Sequence, residues 1–341
     1  MKSLRFLLLN ALLAVSVSAM GSDLLINGAG ASFPYPLYSK WFSEYTNVEK
    51  SVKINYQSIG SGGGIRQFLA GTTDFGASDA PMKDEELAKS QTPILHIPTT
   101  LGAVAVTYNI PGVKENIQLT AEVVVDIFAG KIKKWDDEKI LKLNPKVKFP
   151  KGQYIIVAHR SDGSGTTSVF TDYLANVSAE WGKKYGKGKD IKWPTGLGGK
   201  GNEGVTGLIR NNPGAIGYVE MTYAMANNLQ MALVKNKAGE FILPSTGAVS
   251  KAAAGALAKM PADYRVSITN SDGKGAYPIS AFTYLLIHQK MDSKKGKEIV
   301  KFLKWAMGPG QKLASPLHYS PLPDSLIAKV NKTIATIKIE E

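Results

Sequence analysis

Arg160-Ser161-Asp162-Gly163-Ser164-Gly165-Thr166-Thr167 lies between two segments of different period. Before it, Tyr154-Ile155-Ile156-Val157-Ala158 is a short β-branched apolar run, the pattern of a buried strand. After it, Val169, Phe170, Tyr173 and Leu174 fall on one helical face. The octet is therefore a glycine-rich turn from strand to helix. Glycines allow a tight turn and close approach of a ligand to the backbone. Ser164, Thr166 and Thr167 offer hydroxyls, and a helix start offers unpaired N–H groups, a ready anion site. Arg160 adds a permanent charge with a planar fork of donors. Asp162 is the one group that does not donate, and it stands where it can pair with Arg160. A plain helix cap with an adjacent ion pair would use the same residues.

The pattern repeats upstream. Leu24-Leu25-Ile26 reads as a strand, residues 27–33 as a turn, and Leu37, Tyr38, Trp41, Phe42 and Tyr45 as one face of a helix. Pro34 and Pro36 suit its first turn, where a missing N–H costs nothing. Val52–Tyr56 alternates as a strand, Gly60-Ser61-Gly62-Gly63-Gly64 forms the next turn, and Ile65, Phe68 and Leu69 begin a helix. The glycine spacing matches neither a dinucleotide fingerprint nor a P-loop. Residues 73–81 end in Ser78-Asp79-Ala80-Pro81, where Asp79 alone reads as a cap or Asx-turn.

Farther on, Ile94–Pro98 and Ala103–Tyr108 read as two strands. Thr99-Thr100-Leu101-Gly102 is a break between them, suited to a hinge into a second domain. Residues 121–128, 171–182, 205–209, 248–258, 294–307 and 325–337 read as helices, and 213–219 and 279–288 as strands with their turns. The alternation makes the chain α/β. The segment 130–137, with Lys131, Lys133, Lys134 and Trp135 followed by two aspartates, reads as a solvated loop rather than a nucleic-acid patch.

The 341 residues exceed one typical core and call for two domains. The sequence has no cysteine, so thiolate metal sites and disulfides are excluded. The four histidines, His96, His159, His288 and His318, are scattered, which argues against a zinc enzyme. Met1–Arg5 is a basic start, Phe6–Val15 an apolar run and Val17-Ser18-Ala19 a small-residue cleavage site, so residues 1–19 are expected to be a signal peptide. Its loss takes the formal charge from +13 to +11. No cysteine follows the cleavage site and no further long apolar run occurs, so a soluble, exported, periplasmic product is expected.

Six motifs, in order, resemble the periplasmic phosphate-binding proteins of bacterial phosphate ABC transporters: GAGASFP (28–34), NYQSIGSGGG (55–64), DFGASDAP (74–81), RSDGSGTT (160–167), GLGGKGNEG (196–204) and PGAIGYVE (213–220). The resemblance implies a two-lobed type II periplasmic-binding-protein fold with the ligand cleft between lobes. Lobe I would comprise 20–100 plus 277–341, and lobe II 101–276. It implies phosphate ligands Ser32, Phe33 (through its backbone), Ser61, Asp79, Arg160, Ser164, Gly165 (through its N–H) and Thr166, with Asp162 holding the Arg160 fork. It further implies a monomer without cofactor or metal, delivering phosphate to a membrane permease with its cytoplasmic ATPase. Close relatives often carry Thr where this chain has Ser32, which keeps the hydroxyl.

The chemistry of the residues fits that implication. Phosphate keeps a proton at neutral pH and sulfate does not, so a carboxylate among donors accepts from phosphate and repels sulfate. An acid in an anion site costs affinity and provides selectivity. This argues against sulfate, molybdate and tungstate, while arsenate shares the proton. A serine hydrolase built on Ser164 is disfavoured, because Gly163 directly precedes it and breaks the nucleophile-elbow spacing.

Overall fold

The computed structural model describes residues 24–340; the expected signal peptide, residues 1–19, lies outside them. Eight strands form one curled path: β1 (Leu24–Gly30), β2 (Val52–Ser58), β3 (Phe75–Ser78), β4 (Ile94–Asn109), β5 (Ile156–Arg160), β6 (Leu197–Gly199), β7 (Ala215–Glu220) and β8 (Ser280–His288). Their spatial order is β2-β1-β3-β8-β4-β7-β5-β6. The β1–β2 and β1–β3 pairs are parallel, as strand-helix-strand connections require. So are β5–β6 and β5–β7. The central pairs are antiparallel: β3 with β8, β8 with β4 over Ile94–Ala103, and β4 with β7 over Val104–Asn109. One strand thus serves the sheets of both lobes. The result is the two-lobed α/β periplasmic-binding fold with its cleft between lobes.

The break expected at 99–102 is not a break. The strand runs through it for 16 residues. Its register with β8 shifts between Thr283 and Tyr284, and Thr99 is the extra residue. Pro98 sits at that bulge, where a missing N–H is tolerated. Gly102 is glycine for a packing reason: a Cβ there would lie 2.6 Å from the Phe33 ring.

Helix α1 (Tyr35–Val48) buries Leu37, Tyr38, Trp41, Phe42 and Tyr45, the five residues its spacing placed on one face. They meet Tyr56, Phe75 and Phe302 in an aromatic core. Helix α2 (Ser61–Leu69) and helix α3 (Gly165–Val177) begin at the glycine-rich turns. In α3, Ser164 Oγ caps the helix by accepting the Thr167 N–H at 2.9 Å. The helix expected over 171–182 is two helices, because Ser178 leaves helical geometry and caps a second one over Ala179–Lys184. The strand expected over 154–158 pairs at 156–160, which carries Arg160 to its end.

Trp135 corrects the reading of 130–137 as a solvated loop. Its side chain is fully buried. It donates through Nε1 to the Gly214 carbonyl at 2.9 Å and packs near Tyr108 and Phe149. Burying so large a ring outweighs the solvation of the charged neighbours. Trp135→Ala should therefore lower stability by about 3–5 kcal/mol, read from a urea midpoint. A solvated loop would change by about 0.5 kcal/mol or less.

Candidate functional site

The four glycine-rich turns converge between the lobes. From lobe I come Ser32 and Phe33 after β1, Ser61 at the start of α2, and Asp79 after β3. From lobe II come Arg160 at the end of β5 and Ser164, Gly165 and Thr166 at the start of α3. All eight are buried. The structure brings every one of them to one cleft.

Contact between the turns is close. Ser61 Oγ accepts the Gly165 N–H at 3.1 Å from the other lobe and the Asp79 N–H at 3.3 Å from its own. The Gly62 N–H donates to the Gly163 carbonyl at 2.8 Å. A Cβ on Gly165 would lie 2.4 Å from Ser61 Oγ and 2.6 Å from Asp79 Oδ2. Only glycine permits that approach. The carbonyls beside the first turn are held by tyrosines: Tyr223 donates to the Ser32 carbonyl and Tyr319 to the Phe33 carbonyl, both at 2.6 Å. The N–H groups of Phe33 and Thr166 find no acceptor among the described residues. A buried, unpaired N–H is costly, so such groups mark where an acceptor belongs.

Arg160 has its Nε and Nη2 on the two oxygens of Asp162, both at 2.7 Å. The Arg160 side chain is 1% exposed. The Gly201 N–H gives Asp162 a further bond at 3.1 Å. Burial works against the Asp162 anion, yet the Arg160 hydrogen bonds and charge hold its carboxyl below the usual range. The pair leaves the guanidinium Nη1 edge for other partners, with Thr166 Oγ1 at 3.4 Å. Because the pair is neutral overall, an anion here would meet oriented donors rather than net positive charge.

Asp79 is the contrasting acid. Burial pushes its carboxyl up to about 7, against the pull of the Thr283 hydroxyl, the Arg160 charge, and the Ser61 and Thr166 hydroxyls. Thr283 donates to Oδ1 at 2.9 Å. A cavity of about 370 Å³ opens between the lobes beside Asp79, lined by Val169, Ile268 and Phe282 among others.

Several neighbours were not singled out in the sequence. Thr283 sits in an apolar strand with nothing local to mark it. Tyr218 Oη accepts the Arg160 N–H at 3.2 Å and lies 2.6 Å from Thr167 Oγ1, tying the site to the aromatic core through Phe170. Asn202, fully buried, reaches Ser32 and Thr166. Glu220 is fully buried, and burial pushes its carboxyl up to about 8, opposed by the Thr222 N–H on Oε2 at 2.8 Å. His159, adjacent to Arg160, stacks on Trp193 at 4.9 Å rather than serving Ser164. No group of residues suited to a metal ion occurs among the described residues.

The two raised carboxyls have a consequence for stability. Asp79 and Glu220 hold protons in the folded protein that they release when unfolded above 3.8 and 4.5. The folded state then binds more protons, so stability falls with rising pH. Their contribution is fully present below those unfolded values, is lost as pH rises through about 7 and 8, and is level beyond. In ligand-free protein, urea midpoints between pH 5 and 8 should fall less steeply for Glu220→Gln than for the parent. An unchanged slope would contradict the assignment.

Residues 17–309 match the model of the PBP superfamily domain. The chain is 46% identical to the phosphate-binding protein PstS of Pasteurella multocida, over 89% of this chain and 88% of that one. It is 44% identical to the Haemophilus influenzae PstS, over 89% and 91%. The solved phosphate-binding protein from Stenotrophomonas maltophilia shares the fold with a TM-score of 0.67 at 19% identity, covering 90% of this chain and 93% of that one. With its sequence relatives, its fold and its four convergent turns all pointing one way, the chain belongs to the PstS family of phosphate-binding proteins.

Proposed function

We propose that this chain captures inorganic phosphate in the periplasm and delivers it to the membrane permease of an ABC transporter, without chemical change to the ligand. The observation that carries the reading is the pairing of opposite half-sites. Donors from two lobes surround one buried acid, and neither half is complete alone. We assign residues 20–100 plus 277–341 to lobe I and 101–276 to lobe II.

In this reading Ser32, Ser61, Ser164 and Thr166 donate hydroxyl protons to phosphate oxygens. Phe33 donates its unpaired backbone N–H, and Gly165 the N–H that otherwise donates to Ser61 Oγ. Arg160 donates from the edge that Asp162 leaves free, and Asp162 fixes its plane. Asp79 accepts the phosphate proton. A carboxyl poised near neutrality beside a ligand that also titrates near neutrality shares one proton with it, so the acid and the anion avoid mutual repulsion. Sulfate brings no proton, and only a protonated Asp79 could meet it. A site built around such a bond rejects the analogue lacking it by about 10⁴-fold or more.

The binding reading is favoured over hydrolysis by the partners of Ser164. Its Oγ accepts the Thr167 N–H as a helix cap and keeps its proton to donate, and the nearest histidine in sequence packs on a tryptophan rather than standing ready to take that proton. The kinship with PstS phosphate-binding proteins supports a periplasmic carrier working with a permease and its ATPase. We assign a monomer. No helix among the described residues is long and apolar enough to cross a membrane.

Calorimetry tests the reading on protein unfolded, dialysed and refolded to remove bound anion. Phosphate should bind with a clear heat and sulfate should give none at pH 8. Sulfate binding should emerge as pH falls below about 7, as Asp79 gains its proton. Asp79→Asn should bind sulfate at pH 8, since its amide donates permanently. Equal response of the parent to both anions at pH 8 would refute the proton-reading role, and silence to both would refute the function.

A further inference from the structure

Asn202 lies in the glycine-rich loop 196–204, at the start of helix α4 (Gly201–Asn211). Its side chain has a fixed orientation. The Glu220 N–H, which can only donate, faces Oδ1 at 2.8 Å, so the amide oxygen must point there and the NH₂ the other way. The NH₂ group points to two hydroxyls, Ser32 Oγ at 2.9 Å and Thr166 Oγ1 at 3.3 Å. The Asn202 backbone N–H also donates to Ser32 Oγ, at 3.1 Å.

A hydroxyl has two lone pairs and one proton. Both lone pairs of Ser32 Oγ are taken by Asn202, and those of Thr166 Oγ1 by Asn202 and, more distantly, Arg160. Each hydroxyl can therefore only donate: Ser32 into the cleft, and Thr166 on the side where the Asp79 carboxyl stands. The Ser32 contacts also cross between lobes. The loop reaches that far because its glycines allow it. Gly201 has φ +71, and a Cβ on Gly199 would lie 2.6 Å from the Gly204 backbone.

We propose that Asn202 is a positioning residue for the anion site: it commits the Ser32 and Thr166 hydroxyls to donation and ties Ser32 to the opposite lobe when the cleft closes. The inference rests on the phosphate reading above. The Asn202 amide is engaged by Glu220, Ser32 and Thr166. It acts through Ser32, so removing it should matter while Ser32 is present and matter little when Ser32 is gone. A residue needed only for folding would weaken binding by the same factor in both backgrounds.

The test is a double-mutant cycle on phosphate affinity by calorimetry, using the full chain stripped of anion. Asn202→Ala should weaken phosphate binding at least tenfold in the parent, with most of the change in a faster dissociation rate by stopped flow. In a Ser32→Ala background the further loss should be at least threefold smaller. Asn202→Ser carries the same cycle should Asn202→Ala not fold. A loss below tenfold in the parent, or losses within threefold of each other in the two backgrounds, would overturn the proposal. Absence of phosphate binding by the parent would instead overturn the functional reading.

Discussion

The Ser61 hydroxyl accepting the Gly165 N–H, at 3.1 Å across the cleft, is the contact on which the arrangement depends. It brings two helix starts within a side chain's width of each other. The glycines follow from it, since any Cβ at Gly165 would enter the space of Ser61 and Asp79. Gly60 obeys the same constraint: its φ is +82, and a Cβ there would lie 2.2 Å from Asp162 Oδ2. The aromatic cores set the approach. Tyr38, Trp41 and Phe42 pack together on α1, which follows the first turn, and Tyr218, stacked on Phe170, holds the octet through Arg160 and Thr167.

The electrostatic design follows from that closeness. Two acids of one cleft, Asp79 buried and Asp162 partly exposed, are driven in opposite directions by their partners. Asp162 has a guanidinium on both oxygens and stays charged. Asp79 has hydroxyls and a more remote cation, and burial dominates. Two hydrogen bonds at 2.7 Å hold the Arg160 fork on Asp162, and removing Asp162 would leave the buried Arg160 charge without its partner. Its neutrality leaves discrimination to the oriented N–H and O–H groups and to one exchangeable proton. A site of unpaired cations would attract every small anion, whereas this arrangement ranks them by where their protons are.

Local elements were legible in the chain wherever one physical signal ruled. The α1 face and the turns around Ser61 and Ser164 each combined helical spacing with a glycine or a cap. Around Trp135 five charged neighbours in 130–137 mask one large ring, and only tertiary packing shows where that ring goes. The stretch 99–102 reads as a break because Gly102 signals a turn in sequence, yet in space it serves the Phe33 ring. Convergence of Ser32, Ser61, Asp79 and Arg160 was legible through family resemblance, since nothing in their own neighbourhoods says that they meet. Thr283 and Asn202 stayed hidden because their importance lies in partners 204 and 170 residues away.

The central claim is that one anion completes two half-sites and so holds the lobes together. Small-angle scattering on the anion-stripped protein, without and with saturating phosphate, measures this directly. The radius of gyration should be smaller with phosphate and unchanged with sulfate at pH 8. An unchanged radius with phosphate bound would contradict it, because the anion would then occupy a site that is already closed.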